Sequence, residues 1–107
     1  MKKFGKYSAF GFFEGLPYGN CDEDITQYKR SSVNIEPEIV LRHIESLDPA
    51  FTSEPTFDLF SGEEFQAGLY DDGLFVFPTD FVRYFRQGKV DIPEEYENYL
   101  LKELEIA

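Results

Sequence analysis

The sequence predicts one α+β domain, residues 1–107, in which a small antiparallel sheet of about three or four strands carries three helices. Three observations predict it. Helical apolar spacing recurs in three separate stretches, each bounded by proline or glycine. Alternating or continuous apolar runs flank an Asp-Gly turn in "LYDDGLFVFP". Hydrophobic residues make up 42% of 107 residues, with twelve Phe and seven Tyr, enough for a single two-layer core and too little chain for a second one.

The elements follow in chain order. Residues 7–13, in the aromatic and glycine-rich "KYSAFGFFEG", suit a strand or extended arm, and residues 16–19 are turn material. The polar "NCDEDITQYKRSSVN" reads as a surface loop with room for one helical turn. Pro37 suits a first helical position, and Ile39, Val40, His43, Ile44 and Leu47 then share a face as far as Asp48-Pro49. Residues 50–55 read as loop. Strands are expected over 56–60, 63–70 and 74–77, the last two joined through Asp71-Asp72-Gly73. Pro78 stops the run, Thr79 or Asp80 can cap a helix starting near Phe81, and Gly88 can end it in the left-handed region. Pro93 opens a last helix, with Glu94 and Glu95 at its positive end and Tyr96, Tyr99, Leu100 and Leu104 along one stripe.

Charge narrows the function classes. Twenty-one acids against ten Lys and Arg give −11, a field that repels nucleic acid and anionic membranes and favours a basic partner. The excess is concentrated. Residues 36–80 hold eleven acids and one base, Arg42, for −10, whereas residues 1–35 sum to +1 and residues 81–107 to −2. Cys21 is the only cysteine, so no intrachain disulfide and no cysteine metal cluster can form, which suits a reducing compartment. No long apolar run or secretory leader is legible, and the expected location is cytoplasmic.

Candidate chemistry is thin. His43, the single histidine, lies on the apolar side of its helix and reads as a boundary residue before a base; no local signature joins it to Cys21 as a Cys-His pair. Asp22, Glu23 and Asp24 match no calcium loop, lacking its glycine and distal glutamate. Gly5, Gly11 and Gly15 lack the order of a phosphate cradle, and Lys29 and Arg30 are too few for a nucleic-acid patch. The chain reads as a non-enzyme without cofactor or metal. A protein-docking surface is expected on Glu54, Asp58, Glu63, Glu64, Asp71 and Asp72, with Tyr70 as an aromatic anchor.

From residue 39 to 100, "HIESL … LYDDGLFVFPTDFVRYFRQGKVDIPEEYENYL" combines a helix, an Asp-Gly hairpin, an aromatic-x-aromatic-Pro step, a short helix and an Ile-Pro step into a last helix. This pattern resembles small bacterial immunity proteins of polymorphic toxin systems, including contact-dependent growth inhibition. Members tend to carry Trp where this chain has Phe75 or Phe77, and a Tyr pair where it has Tyr84-Phe85. The resemblance implies a stoichiometric inhibitor that stays in the cytoplasm and neutralises a cognate toxin, often a nuclease whose active site is basic. The alternative is an acidic interaction module or DNA-charge mimic that blocks a nucleic-acid enzyme.

Overall fold

The computed structural model describes residues 2–18 and 21–105, with the side chains of Lys2 and Phe4 outside the description. Its strands are β1 (Lys2–Phe4), β2 (Tyr7–Ala9), β3 (Ala50–Phe57), β4 (Glu64–Asp72) and β5 (Phe75–Pro78). Its helices are α1 (Pro37–Glu45), α2 (Thr79–Arg86) and α3 (Glu94–Glu103), with a 3-10 turn at Ile25–Tyr28. The α+β class, with a small sheet and three helices, is as the sequence predicts. The sheet runs β1-β2-β5-β4-β3, and the N-terminal arm enters it as a hairpin. β2 joins β5 in parallel, Ser8 opposite Phe75 and Ala9 opposite Val76, while the other three pairings are antiparallel. The sheet is therefore mixed. A parallel pairing needs a long crossover, which residues 10–74 supply.

Residues 50–55, expected as loop, belong to β3. Pro55 and the polar run before it hide the strand, and they are tolerated because β3 is an edge strand with one side unpaired among the described residues. The register jumps between Phe51↔Gly68 and Pro55↔Gln66, so that three β3 residues stand against the single Ala67. The Thr52 hydroxyl holds this bulge, donating to the carbonyls of Glu54 (2.9 Å) and Ala67 (3.4 Å). Residues 58–60, expected as strand, form the turn instead: Asp58 N–H donates to Glu63 O and Gly62 N–H to Asp58 O, both at 2.8 Å.

In the next hairpin Asp72 pairs with Phe75, leaving Gly73-Leu74 as a two-residue loop; Asp71 and Asp72, expected in the connection, belong to β4. Gly73 has φ +63, and a Cβ there would lie 2.4 Å from Tyr99 Oη. Pro78, not Thr79 or Asp80, occupies the N-cap of α2, and no side chain caps that end. The far end closes as expected. Lys89 N–H donates to Tyr84 O (2.9 Å) and Gly88 N–H to Phe85 O (3.0 Å), with Gly88 at φ +76.

The core is aromatic. Phe10, following β2, stacks on Phe77 at 4.9 Å, meets Phe81 edge-on at 5.0 Å and tilts against Tyr96 at 5.1 Å. Strand, helix and loop thus share one cluster, and such ring pairs add about 0.5–1.5 kcal/mol each beyond the area they bury. Val40 and Ile44 bring in α1 and Leu100 brings in α3, all buried, whereas Ile39 faces outward. The segment expected as a polar surface loop is tied to this core. Phe13 is fully buried edge-on to Tyr28 (4.9 Å), and the Tyr28 hydroxyl donates to Glu23 (2.6 Å) while accepting from Gly11 N–H (3.0 Å). Asp24 caps the 3-10 turn through Thr26 N–H.

Candidate functional site

Four carboxylates face inward, and each is satisfied. Asp72 accepts from the Tyr96 hydroxyl (2.6 Å), His43 Nε2 (2.9 Å) and, more weakly, the Tyr99 hydroxyl (3.4 Å). Asp80, wholly buried, accepts from the hydroxyls of Tyr18 (2.7 Å) and Thr56 (2.6 Å). Glu97 accepts from Arg30 Nη2 (3.2 Å) and Asn34 N–H (2.6 Å). Asp58 takes Arg83 Nε (2.8 Å) and the amides of Phe60 (2.8 Å) and Ser61 (3.0 Å). Every buried side-chain N or O among the described residues has a partner, as expected where leaving one unmade costs about 1–3 kcal/mol.

These networks set the protonation of their members. The Arg83 guanidinium and the turn amides hold the Asp58 carboxyl well below the usual carboxylate range, against a smaller cost of desolvation. Burial, with Asp72 adding to it, pushes the Tyr96 phenol far above its ordinary value, and burial with Asp80 does the same to Tyr18. Tyr28 is raised by burial and by Glu23.

Asp58 and Asp72 therefore leave the docking surface expected of them. Asp58 is 3% exposed and Asp72 5%, and both spend their acceptor capacity inside the molecule. Tyr70 is half-buried, stacked on Phe77 at 5.5 Å and packed against the core. The exposed members are Glu54, Glu63, Glu64 and Asp71. Glu54 and Glu64 come together across β3 and β4, lining an open groove of about 490 Å³ with Thr52, Ser53, Pro55, Phe65 and Gln66. Glu63 lies beside them at the turn, paired with Arg83 Nη2 (3.0 Å). Asp71 lies near the opposite end of β4, against Val76.

The same hairpin carries what the acid count did not reveal. Phe51 is 56% exposed, Phe57 50%, Phe60 60% and Leu59 36%. Four large apolar side chains thus stand in water within one hairpin. Between Arg42 and Arg83 the chain contains nine acids and no Lys or Arg; Asp58, Asp72 and Asp80 turn inward, and the other six are exposed. Bases reach the hairpin only from later elements among the described residues: Arg83, held by Asp58 and Glu63 and stacked 4.5 Å over Phe65, and Lys89, 4.1 Å over Phe60.

No family model, curated protein or solved structure matches this chain.

His43 uses Nε2 on Asp72, and its ring is 17% exposed at the α1–β4 boundary. Cys21 is half-buried and packs against the core. Among the described residues, no group of three or more His, Cys, Asp or Glu is arranged to hold a metal ion. No described helix is long and apolar enough to cross a membrane. Two further hollows flank Arg30, and its guanidinium is already committed to Ile92 O (2.9 Å) and Glu97. The hairpin presents exposed apolar side chains beside exposed carboxylates.

Proposed function

We propose that this chain is a stoichiometric inhibitor of a basic protein: an immunity protein that acts in the bacterial cytoplasm on a cognate toxin, with a nuclease as the expected toxin. The observation that carries the reading is the stretch between Arg42 and Arg83, which has no Lys or Arg of its own and keeps six carboxylates exposed, of which Glu45 and Glu63 pair with Arg86 and Arg83 from later in the chain. Such a field accelerates encounter with a positively charged active-site cleft and selects against acidic partners. A nuclease cleft is positive because it binds phosphates, so the match follows from charge, and the hairpin-to-helix resemblance points the same way.

Inhibition of this kind requires only occupancy. A standard interface of about 800 Å² per partner is modest beside the 6454 Å² of accessible surface. Co-expression tests the reading. Cells producing the toxin encoded next to this gene should survive when the chain is present, and the two proteins should co-purify at one to one. Death of the cells with both proteins soluble, and no complex on gel filtration, would refute it.

A further inference from the structure

We infer that the β3–β4 hairpin is the docking surface, with Phe51 and Phe57 as its apolar anchors and Glu54 and Glu64 as its charge selectors, and that its occupant is a basic protein surface bearing exposed apolar groups. This inference rests on the inhibitor reading and adds to it the place of contact. Solvent-exposed aromatic side chains of this size are costly to leave in water and uncommon in groups on a surface with no partner. Here the neighbouring Phe60 and Leu59 extend the group around the turn.

Geometry supports the pairing of anchors. Phe51 and Phe57 flank the bulge on a strand rising ~3.3 Å per residue, which places them within about 20 Å of each other, inside the span of one standard interface. The groove between them is lined by Glu54 and Glu64 and by no cation. Pro55, which has no N–H to offer, and the bulge interrupt the edge, so the contact is made by side chains and not by extending the ladder. A second copy of the chain is disfavoured as occupant, because it would set Glu54 and Glu64 against their own kind. Tyr70, stacked on Phe77, is no anchor.

The test measures binding to the toxin domain encoded beside this gene, its affinity by titration calorimetry and its association rate by stopped-flow mixing, each at two salt concentrations, with sedimentation of the free chain alongside. Phe51→Ala/Phe57→Ala should fold as the parent does, since both rings are exposed, and should weaken binding at least ~30-fold. Glu54→Lys/Glu64→Lys should slow association about tenfold and flatten its salt dependence. Leu74→Ala, an exposed apolar residue on the other hairpin, should leave affinity unchanged. Parent binding that survives both double substitutions would overturn the docking surface and leave the inhibitor reading intact. Failure of the parent itself to bind would sink the inhibitor reading, and the surface with it. A dimer of the free chain abolished by Phe51→Ala/Phe57→Ala would overturn the choice of occupant.

Discussion

Asp71 and Asp72 are adjacent, identical and opposite in consequence, which makes replacing each by alanine an informative experiment. Asp72→Ala deprives the buried Tyr96 hydroxyl of its 2.6 Å acceptor and His43 of its 2.9 Å partner, and it removes the longer bond from Tyr99. A hydrogen bond to a charged group contributes about 1.5–3 kcal/mol, and an orphaned buried hydroxyl costs ~1–3. The Tyr96 and His43 losses overlap, because the cavity left by the carboxylate admits some relaxation. The sum is a destabilisation of about 3–5 kcal/mol. That is a large part of the ~5–15 typical of a domain, and it should lower the melting temperature by roughly 15–30 °C. Asp71→Ala, exposed on the same strand, should fall within ~0.5 kcal/mol of the parent. Urea unfolding followed by far-UV circular dichroism reads both, and Tyr96→Phe in the Asp72→Ala background should cost far less than it does alone. A loss below ~1 kcal/mol for Asp72→Ala, or equal losses for the two variants, would refute the buried network.

The buried carboxylates, tyrosines and left-handed glycines lead to three more measurable outcomes. The Asp58 carboxyl is depressed in the folded chain, so its contribution is complete above its unfolded value of about 3.9 and is lost as pH falls below that value; Arg83→Gln should flatten acid unfolding monitored below pH 4. Tyr18, Tyr28 and Tyr96 are raised when folded, so their contribution is complete below about pH 10 and is lost as pH climbs past it; phenolate absorbance at 295 nm should show at least three tyrosines ionising only as the chain unfolds. Alanine at the left-handed glycines should grade by surroundings: about 1 kcal/mol at Gly88, where the space is open, more at Gly73 beside the movable Tyr99 hydroxyl, and most at Gly11, where a Cβ would stand 2.7 Å from Phe81 Cβ. Thermal melts that failed to rank them so would contradict the packing around Gly11.

Local patterns made the three helices and the Asp-Gly hairpin readable, because Val40 and Ile44, Phe81 and Phe85, and Tyr96 and Leu100 repeat at helical spacing and all are buried. Of β3 only the end, Thr56 and Phe57, was readable. Its strand state depends on a neighbour, β4, and on an edge position that excuses Pro55. The acids show the same division. Strand alternation places Tyr70 and Asp72 on one side and Asp71 on the other, a clue present in the sequence. Nothing local says that His43, Tyr96 and Tyr99 wait there to receive a carboxylate. Asp80 looked like a helix cap because Thr-Asp follows a proline, yet Tyr18 and Thr56 claim it from distant segments. The exposure of Glu54, Glu63 and Glu64 on the hairpin was legible from charge alone. The exposure of Phe51, Phe57 and Phe60 was not, since phenylalanine is ordinarily read as core.

The parallel seam between β2 and β5 joins Ser8 to Phe75, across nearly two-thirds of the chain. On a ribosome β1 and β2 emerge long before β5 exists, so their hairpin has to wait with the β2 edge open until the β4–β5 hairpin is made. Sealing the sheet is then a late event, and the step most open to capture by a chaperone or by another nascent chain.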